Sequence, residues 1–459
     1  METETKEWFH FIGIAGVGMG GLAKILRVSG KKVSGSDLQE NAITEDLRSL
    51  GVEIFIGQKA ENIQDGMDQV IISSAIPQDN PELQAACEKK IPILHRGELL
   101  AQMVNEQRGI AVAGSHGKTT TTAMLYEALH QSGLFPSLMV GGEIRGSKLR
   151  ATAGQDPFFV TEADESDGSF LAIKPYIALV TNVEDDHLEH YGSMENLIQA
   201  FADFVEDVQP GGFACLCSSS PVLHKIAGET WTRTVTYGEN TDDDYRMQNY
   251  QPYGIGSRFT VRHLLEEDPL CDVILQVPGK HNAMDALGAF AVAAEMGCPI
   301  ELILKALENF QGTKRRFEIV GSWNNISVVD DYAHHPTEIM ATLNAARDVY
   351  EGRIVAVFQP HRYTRTQNLA GEFGTAFSQA DLVVITDIYS AGEKPIENVS
   401  GRLIYDAVRK NHENVVYIPA KEDITAWLEE NLQPYDMLLT LGAGDIWKTG
   451  EAWLAARRK

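Results

Sequence analysis

The segment from Gly109 to Ser132 constrains the fold more than any other. An apolar run, GIAVA, breaks at Gly114, and after SHG a helical pattern opens, KTTTTAMLYEALHQS. A short apolar run feeding a glycine turn and then a helix is the repeating unit of parallel α/β sheets, which helices cover on both faces. The turn also restricts the chemistry. Gly114, Ser115, His116 and Gly117 let backbone N–H groups converge on an anion, and the helix N-terminus adds positive dipole. Lys118 extends toward the outer phosphates of a nucleoside triphosphate, Thr119 offers a hydroxyl to Mg²⁺, and Thr120 follows in the first turn. Only Ser115 and His116 separate the two glycines, where the usual phosphate loop has a longer gap.

At 459 residues the chain exceeds one hydrophobic core, so roughly two to four domains are expected. Strand and helix patterns alternate in three blocks, predicting boundaries of 1–106, 107–312 and 313–459. The expected architecture is α/β throughout: an N-terminal Rossmann-like domain, a central ATPase-like domain with a phosphate loop and added antiparallel strands (RFTVRHL and CDVILQVPG), and a C-terminal Rossmann-like domain. The polar stretch Glu239 to Gly256 reads as loop, and GTKRRFE (Gly312 to Glu318) as a hinge. A net charge of −25 argues against a nucleic-acid binder, so anionic substrates must be drawn by local basic residues and metal ions. No apolar run reaches membrane-spanning length, the N-terminal METETKEW lacks the apolar core of a signal peptide, and five scattered cysteines have no zinc spacing. A reducing cytoplasm is the expected location.

Other motifs sit at the ends of predicted strands, where α/β sheets bind ligands. Gly16, Gly18 and Gly21 form G-x-G-x-x-G after the first strand, and Asp37 ends the next. Such a turn holds a diphosphate; whether of NAD or of a UDP-sugar is open at this point. TEADESDGSF brings Glu162, Asp164, Glu165 and Asp167 together after FFV, a crowding that calls for a cation or for hydrogen-bond donors. TNVEDDH places His187 beside further acids, as a metal partner or a loop-capping imidazole. In PGKHNAMDA, Asn282 either caps a helix or meets a purine edge. HRYTRT presents Arg362 and Arg365, whose planar forks suit a carboxylate or phosphate.

GSHGKTT, EADESDGSFL, TNVEDDH, GKHNAMDA and DDYAHHPTE follow one another in this order, and HRYTRT, DIYSAGEKPI and LGAGDIW come after them. On these strings the whole chain resembles the Mur ligases of peptidoglycan synthesis. Ala15, where the family often has glycine, and Ser115, where it often has threonine, are small departures. The resemblance implies ATP-dependent amide formation on UDP-N-acetylmuramate through an acyl phosphate, with L-alanine as the incoming amino acid. It implies that Gly114, Gly117, Lys118, Thr119 and Thr120 hold the ATP phosphates. Thr119 and Glu162 would ligate Mg²⁺ (or Mn²⁺ in its place), and Glu162 with His187 a second ion. His281 and Asn282 would meet adenine, and Arg315 the γ-phosphate. Gly16, Gly18, Asp37, Ser73 and Ser74 would surround the UDP-sugar, while His334, Arg362 and Arg365 receive the amino acid. Rival expectations are a tripeptide-recycling ligase for the same sugar nucleotide, a folylpolyglutamate synthase, an NAD-dependent sugar-nucleotide oxidoreductase, and a nucleotide-regulated binding module. The oxidoreductase leaves the Lys118 loop without a task.

Overall fold

A computed structural model describes residues 7–457. By contact density the chain forms two compact units, one running to Met247 with Val261–Leu270 and Asp285–Leu307, the other comprising Gln248–Thr260, Cys271–Met284 and the chain from Glu308 onward. The first unit opens with five parallel strands, β1 (Trp8–Ile12), β2 (Lys32–Asp37), β3 (Glu53–Ile56), β4 (Gln69–Ile72) and β5 (Ile93–His95), in the order β3-β2-β1-β4-β5. β2 and β3 lie on one side of β1 and β4 and β5 on the other, so the order reverses between β1 and β4, and the carboxyl ends of β1, β2 and β4 share one edge at this topological switch point.

The next sheet comprises β6 (Arg108–Ala113), β7 (Ser137–Met139), β8 (Ala151–Thr152), β9 (Phe158–Glu162), β10 (Ile177–Val180), β11 (Phe213–Cys217), β12 (Thr234–Gly238), β13 (Tyr245–Tyr253), β14 (Gly256–His263) and β15 (Cys271–Leu275). Their order is β15-β14-β13-β12-β11-β10-β6-β9-β7-β8. β6 is central, parallel to β10 on one side and β9 on the other. Ile110, Ala111, Val112 and Ala113 are wholly buried, which explains the unbroken apolar run. Each such Ile or Val side chain contributes about 1.5–3 kcal/mol on burial.

β13 corrects the reading of Glu239 to Gly256 as loop, since nine of these residues form a strand. Tyr245 and Met247 turn inward while residues between and beyond them face solvent, so composition resembled a loop. Pro252 near its end deepened that impression.

The second unit holds β16 (Glu318–Trp323), β17 (Ile326–Asp331), β18 (Arg353–Phe358), β19 (Leu382–Ile385), β20 (Val415–Tyr417) and β21 (Asp436–Leu441), ordered β16-β17-β21-β18-β19-β20. All pairings are parallel except the β16–β17 hairpin. Asn324 (φ 48°) and Asn325 (φ 60°) close that hairpin in the left-handed conformation that two-residue turns favour. Along β18, Ile354, Ala356 and Phe358 pack with Phe373 and Phe377, while Val355 and Val357 pack with Leu438 and Trp453. Both faces are therefore covered, as a parallel sheet requires. No helix among the described residues is long and apolar enough to cross a membrane.

Candidate active site

The phosphate loop leaves the centre of its sheet. Gly114 (φ 132°) and Gly117 (φ 84°) adopt backbone conformations that other residues resist, and both are closely approached. A Cβ on Gly114 would lie 2.1 Å from Thr181 Oγ1, and one on Gly117 2.5 Å from Asp285 Oδ1. The loop is fastened to the end of β10: Thr181 Oγ1 donates to the His116 carbonyl (2.5 Å), Asn182 Nδ2 donates to the same oxygen (3.0 Å), and His116 N donates to Asn182 Oδ1 (2.8 Å). Ser115 Oγ accepts from Glu184 N at 2.9 Å. Gly117 caps the Lys118–Gln131 helix without any side-chain acceptor, and the first turn of the helix carries no acidic residue of its own.

Lys118 Nζ lies 3.0 and 2.8 Å from the two oxygens of Glu165 and 2.5 Å from the Gly114 carbonyl. Burial alone would pull this ammonium down; Glu165, Asp164 and Glu162 outweigh it and hold it above the usual lysine range. The four acids expected to repel one another are thus separated by donors. Glu165 has Lys118, Glu162 accepts from Gly141 N (2.6 Å), Asp164 from Ser166 N (3.1 Å) and Asp167 from Ser169 N (3.0 Å). Burial raises the Glu162 carboxyl, against the opposing pull of Gly141, Lys118 and the Thr119 hydroxyl. Glu162 and Thr119 are therefore neighbouring hard oxygen donors, one of them a carboxylate that a cation would stabilise, which fits Mg²⁺. His187 adopts a left-handed backbone (φ 61°) at the start of Leu188–Tyr191, makes no side-chain cap, and has Nε2 3.5 Å from Asp186 Oδ2.

At the carboxyl edge of the first sheet, Gly16 caps the Val17–Val28 helix, again with no side-chain cap and no acid in the first turn. Asp37 secures the turn from β2, its Oδ2 accepting from Ala15 N at 2.9 Å. Ser73 and Ser74 follow β4 at the same edge, Ser74 exposed.

In the second unit His334 sits between β17 and the Pro336–Val349 helix. Its Nδ1 is 3.0 Å from the Tyr332 carbonyl and 3.2 Å from Glu338 Oε2, two acceptors that place the proton on Nδ1 and leave Nε2 as an acceptor. Burial, reinforced by Arg365 and Arg316 against Glu338, pulls His334 down to about 4. His361 contacts His334 edge-on and stacks on Tyr389, and its Nδ1 is 3.4 Å from Arg365 Nη1. Arg362 takes a positive φ (68°) just before the Tyr363–Asn368 helix, its N donates to the Tyr389 carbonyl (2.9 Å), and its charge, like those of Arg365 and His334, bears on His361, so these five residues form one cluster.

Two residues sit differently from the motif reading. Arg315 spends its guanidinium inside this unit, donating to Asp330 Oδ2 (2.9 Å) and to the carbonyls of Gly442 (2.6 Å) and Gly444 (3.1 Å). Its neighbour Arg316 pairs with Glu338 (3.6 Å) and bears on Asp331 and His334, a placement no motif announced. Asn282 lies inside the first turn of Lys280–Glu295, past the cap position. It is buried, and its amide donates to the Pro278 carbonyl at 2.6 Å, while His281 beside it is exposed.

Comparison with known proteins gives three consecutive family matches: Mur ligase family, catalytic domain, over residues 9–108; Mur ligase middle domain over 112–293; and Mur ligase, glutamate ligase domain, over 315–444. A UDP-N-acetylmuramate–L-alanine ligase of Syntrophomonas wolfei is 50% identical over 446 residues, covering 97% of this chain and 96% of the relative. One of the same name from Desulforamulus reducens is 44% identical over 96% of each chain. The crystal structure of UDP-N-acetylmuramate-alanine ligase from Thermotoga maritima superposes with a TM-score of 0.82 at 30% identity, over 98% of this chain and 99% of that one. A murein peptide ligase from Psychrobacter arcticus shares the fold at a TM-score of 0.71 and 24% identity, over 98% of both chains.

Proposed function

Because this chain belongs to the Mur ligase family, with its three-domain α/β architecture, we infer that it is an ATP-dependent ligase joining L-alanine to UDP-N-acetylmuramate in peptidoglycan precursor synthesis. The observation that carries this is identity of 50% along essentially the whole length of an alanine ligase. The domain boundaries we adopt are 1–106, 107–312 and 313–459, for the sugar nucleotide, ATP and the amino acid. The cytoplasm, which supplies all three substrates, is where we place the reaction.

An amide cannot form directly from an unreactive carboxylate. The muramyl carboxylate oxygen attacks the γ-phosphorus of ATP, the bond to the β,γ-bridging oxygen breaks, and ADP leaves with that electron pair. The alanine amine then attacks the acyl carbon, loses a proton, and inorganic phosphate departs from the tetrahedral intermediate. Phosphoryl transfer of this kind is mostly positioning and electrostatics. Lys118 and the N–H groups from Gly114 to Thr120 would hold the triphosphate as charge moves onto its oxygens. Thr119 and Glu162 would hold Mg²⁺, with Glu162 and His187 sharing a second ion; bound there, the metal neutralises phosphate charge. His281 and Asn282 would border adenine. The UDP-sugar would lie on Gly16, Gly18, Asp37, Ser73 and Ser74.

Arg362 and Arg365 would pair with the alanine carboxylate. His334 would then present Nε2, neutral at physiological pH, as a hydrogen-bond acceptor that orients the amine; pulled down to about 4 it is too weak a base to keep the ammonium's proton, which passes to water before attack. For Arg315 the γ-phosphate role requires its hydrogen bonds to Asp330 and the Gly442 to Gly444 carbonyls to be exchanged; Arg316 is the better placed of the two to act with His334. The test is release of inorganic phosphate from ATP with UDP-N-acetylmuramate and L-alanine added singly and together. Strict dependence on both is expected. Release driven by the L-alanyl-γ-D-glutamyl tripeptide instead of alanine, or by neither, would overturn the reading.

A further inference from the structure

Arg96 opens the Arg96–Asn105 helix, which His95 caps. Its guanidinium reaches back over the first glycine turn: a Cβ on Gly18 would lie 3.1 Å from Arg96 Nη1. Gly18 is the second residue of Val17–Val28, in the uncapped, acid-free first turn. Other partly buried arginines of this chain use their forks on protein acceptors, Arg353 on Asp436 and the Asn431 carbonyl, Arg347 on Asp381 and the Gly352 carbonyl. Arg96, half-buried, donates no hydrogen bond to a protein acceptor among the described residues. Its charge is felt by Asp167, in the acid loop beyond β9: burial would raise the Asp167 carboxyl, but Ser169, Arg96 and His95 together hold it below the usual range. A fork with uncommitted donors, lying against a glycine turn, is arranged to receive an anion.

We propose that Arg96 is a sugar-nucleotide-binding residue whose guanidinium donates to the diphosphate seated on the Gly16–Gly18 turn. The proposal rests on the assignment of the UDP-sugar to that turn. It adds a cation to a site whose assigned residues, Gly16, Gly18, Asp37, Ser73 and Ser74, include none. It also gives the acid loop a second task, since Glu165 holds Lys118 and, two residues on, Asp167 attracts Arg96.

The test is calorimetric titration of the full-length wild type, Arg96→Ala and Arg96→Lys with UDP and with uridine, alongside KM values for all three substrates. Arg96→Ala should weaken UDP by about ten- to a hundred-fold, the effect of losing charge-assisted hydrogen bonds, and leave uridine within about two-fold. Arg96→Lys should recover part of the UDP affinity, and the KM for ATP should stay within about two-fold in both. Equal loss of UDP and uridine would mean that Arg96 only shapes the turn and would overturn the proposal. So would unchanged UDP affinity. Wild-type enzyme that binds UDP yet needs no UDP-N-acetylmuramate for phosphate release would remove the functional reading instead, while the variant-to-wild-type ratio for UDP would still decide the role of Arg96.

Discussion

The Lys118 ammonium and the Glu165 carboxylate form a buried ion pair, 2.8 Å at its closest, with the Glu165 side chain only 1% exposed. Motif reading gives Lys118 one task, the outer phosphates; this pair gives it another. A triphosphate that engages Lys118 competes with Glu165 for it, and removing Lys118 leaves a carboxylate in the interior without its cation. Breaking a buried pair by deleting one partner costs about 3–5 kcal/mol, most of it the stranded charge.

Lys118→Ala should therefore lose both turnover and stability, whereas the motif alone anticipates an unaffected fold. The double variant Lys118→Ala/Glu165→Gln should regain most of the stability and none of the turnover. Urea unfolding and phosphate release measured on the same preparations separate the two effects. Wild-type stability in the single variant would show that the pair is not structural, and near-normal turnover would remove ATP from this loop.

His187→Ala should raise the divalent-metal concentration needed for half-maximal activity, with partial recovery at high metal, because on the proposed assignment one ligand of the second ion would be lost while Thr119 and Glu162 would remain for the first. Glu162→Gln should not recover, since on that assignment Glu162 would serve both ions. Titrations with Mg²⁺ and Mn²⁺ check this. A curve for His187→Ala that overlays the wild type would return His187 to a loop-shaping role beside Asp186.

The strands around these residues were largely legible, and for a physical reason. Parallel strands buried on both faces read as continuous apolar runs, as in β6, β10 and β18. The glycine turns were legible because Gly114 and Gly117 occupy conformations and clearances that other residues do not fit. What escaped is what periodicity does not encode. β13 alternates against solvent and looked like loop, and β16 pairs antiparallel through a two-asparagine turn just past the hinge. Arg96 stands in no motif, and its place over Gly18 depends on how a later helix folds back. Likewise, nothing in KRRFE distinguishes Arg315, turned toward Asp330, from Arg316, turned toward Glu338.

The His334–His361 cluster makes the second unit sensitive to acid. Burial first, with nearby arginines, pulls His334 down to about 4, and burial with His334 and Arg365 pulls His361 down to about 3. Both histidines stay neutral in the fold while the unfolded chain takes up protons below about pH 6.5, so the unfolded state binds more protons in that window. Their contribution is complete above about pH 6.5 and falls as pH drops toward about 4, by at most about 3 kcal/mol for His334. Asp331, pushed up to about 6 by burial, acts in the opposite sense, so the comparison must be between variants. The stability gap between wild type and His334→Gln should shrink on going from about pH 7.5 to about pH 4.5 in urea unfolding. A gap independent of pH would mean that His334 is not held neutral.

Arg365 tests the proposed amino-acid site by geometry instead of charge. Its Nη1 lies 3.4 Å from His361 Nδ1, and its charge is among those keeping His334 and His361 neutral. Lysine keeps the charge, and with it much of that electrostatic influence, but offers no planar fork to a carboxylate. Arg365→Lys should thus raise the KM for L-alanine by about ten- to a hundred-fold, equivalent to about 1.5–3 kcal/mol for charge-assisted hydrogen bonds. The acid dependence of stability should be preserved, and the KM for ATP should move by less than about three-fold, because Arg365 is not among the residues proposed to hold ATP. Steady-state phosphate release with each substrate varied in turn reads all of these. Unchanged alanine kinetics together with a collapse in UDP-N-acetylmuramate kinetics would mean that this cluster receives the sugar nucleotide, and the allocation of substrates to domains would have to be reversed.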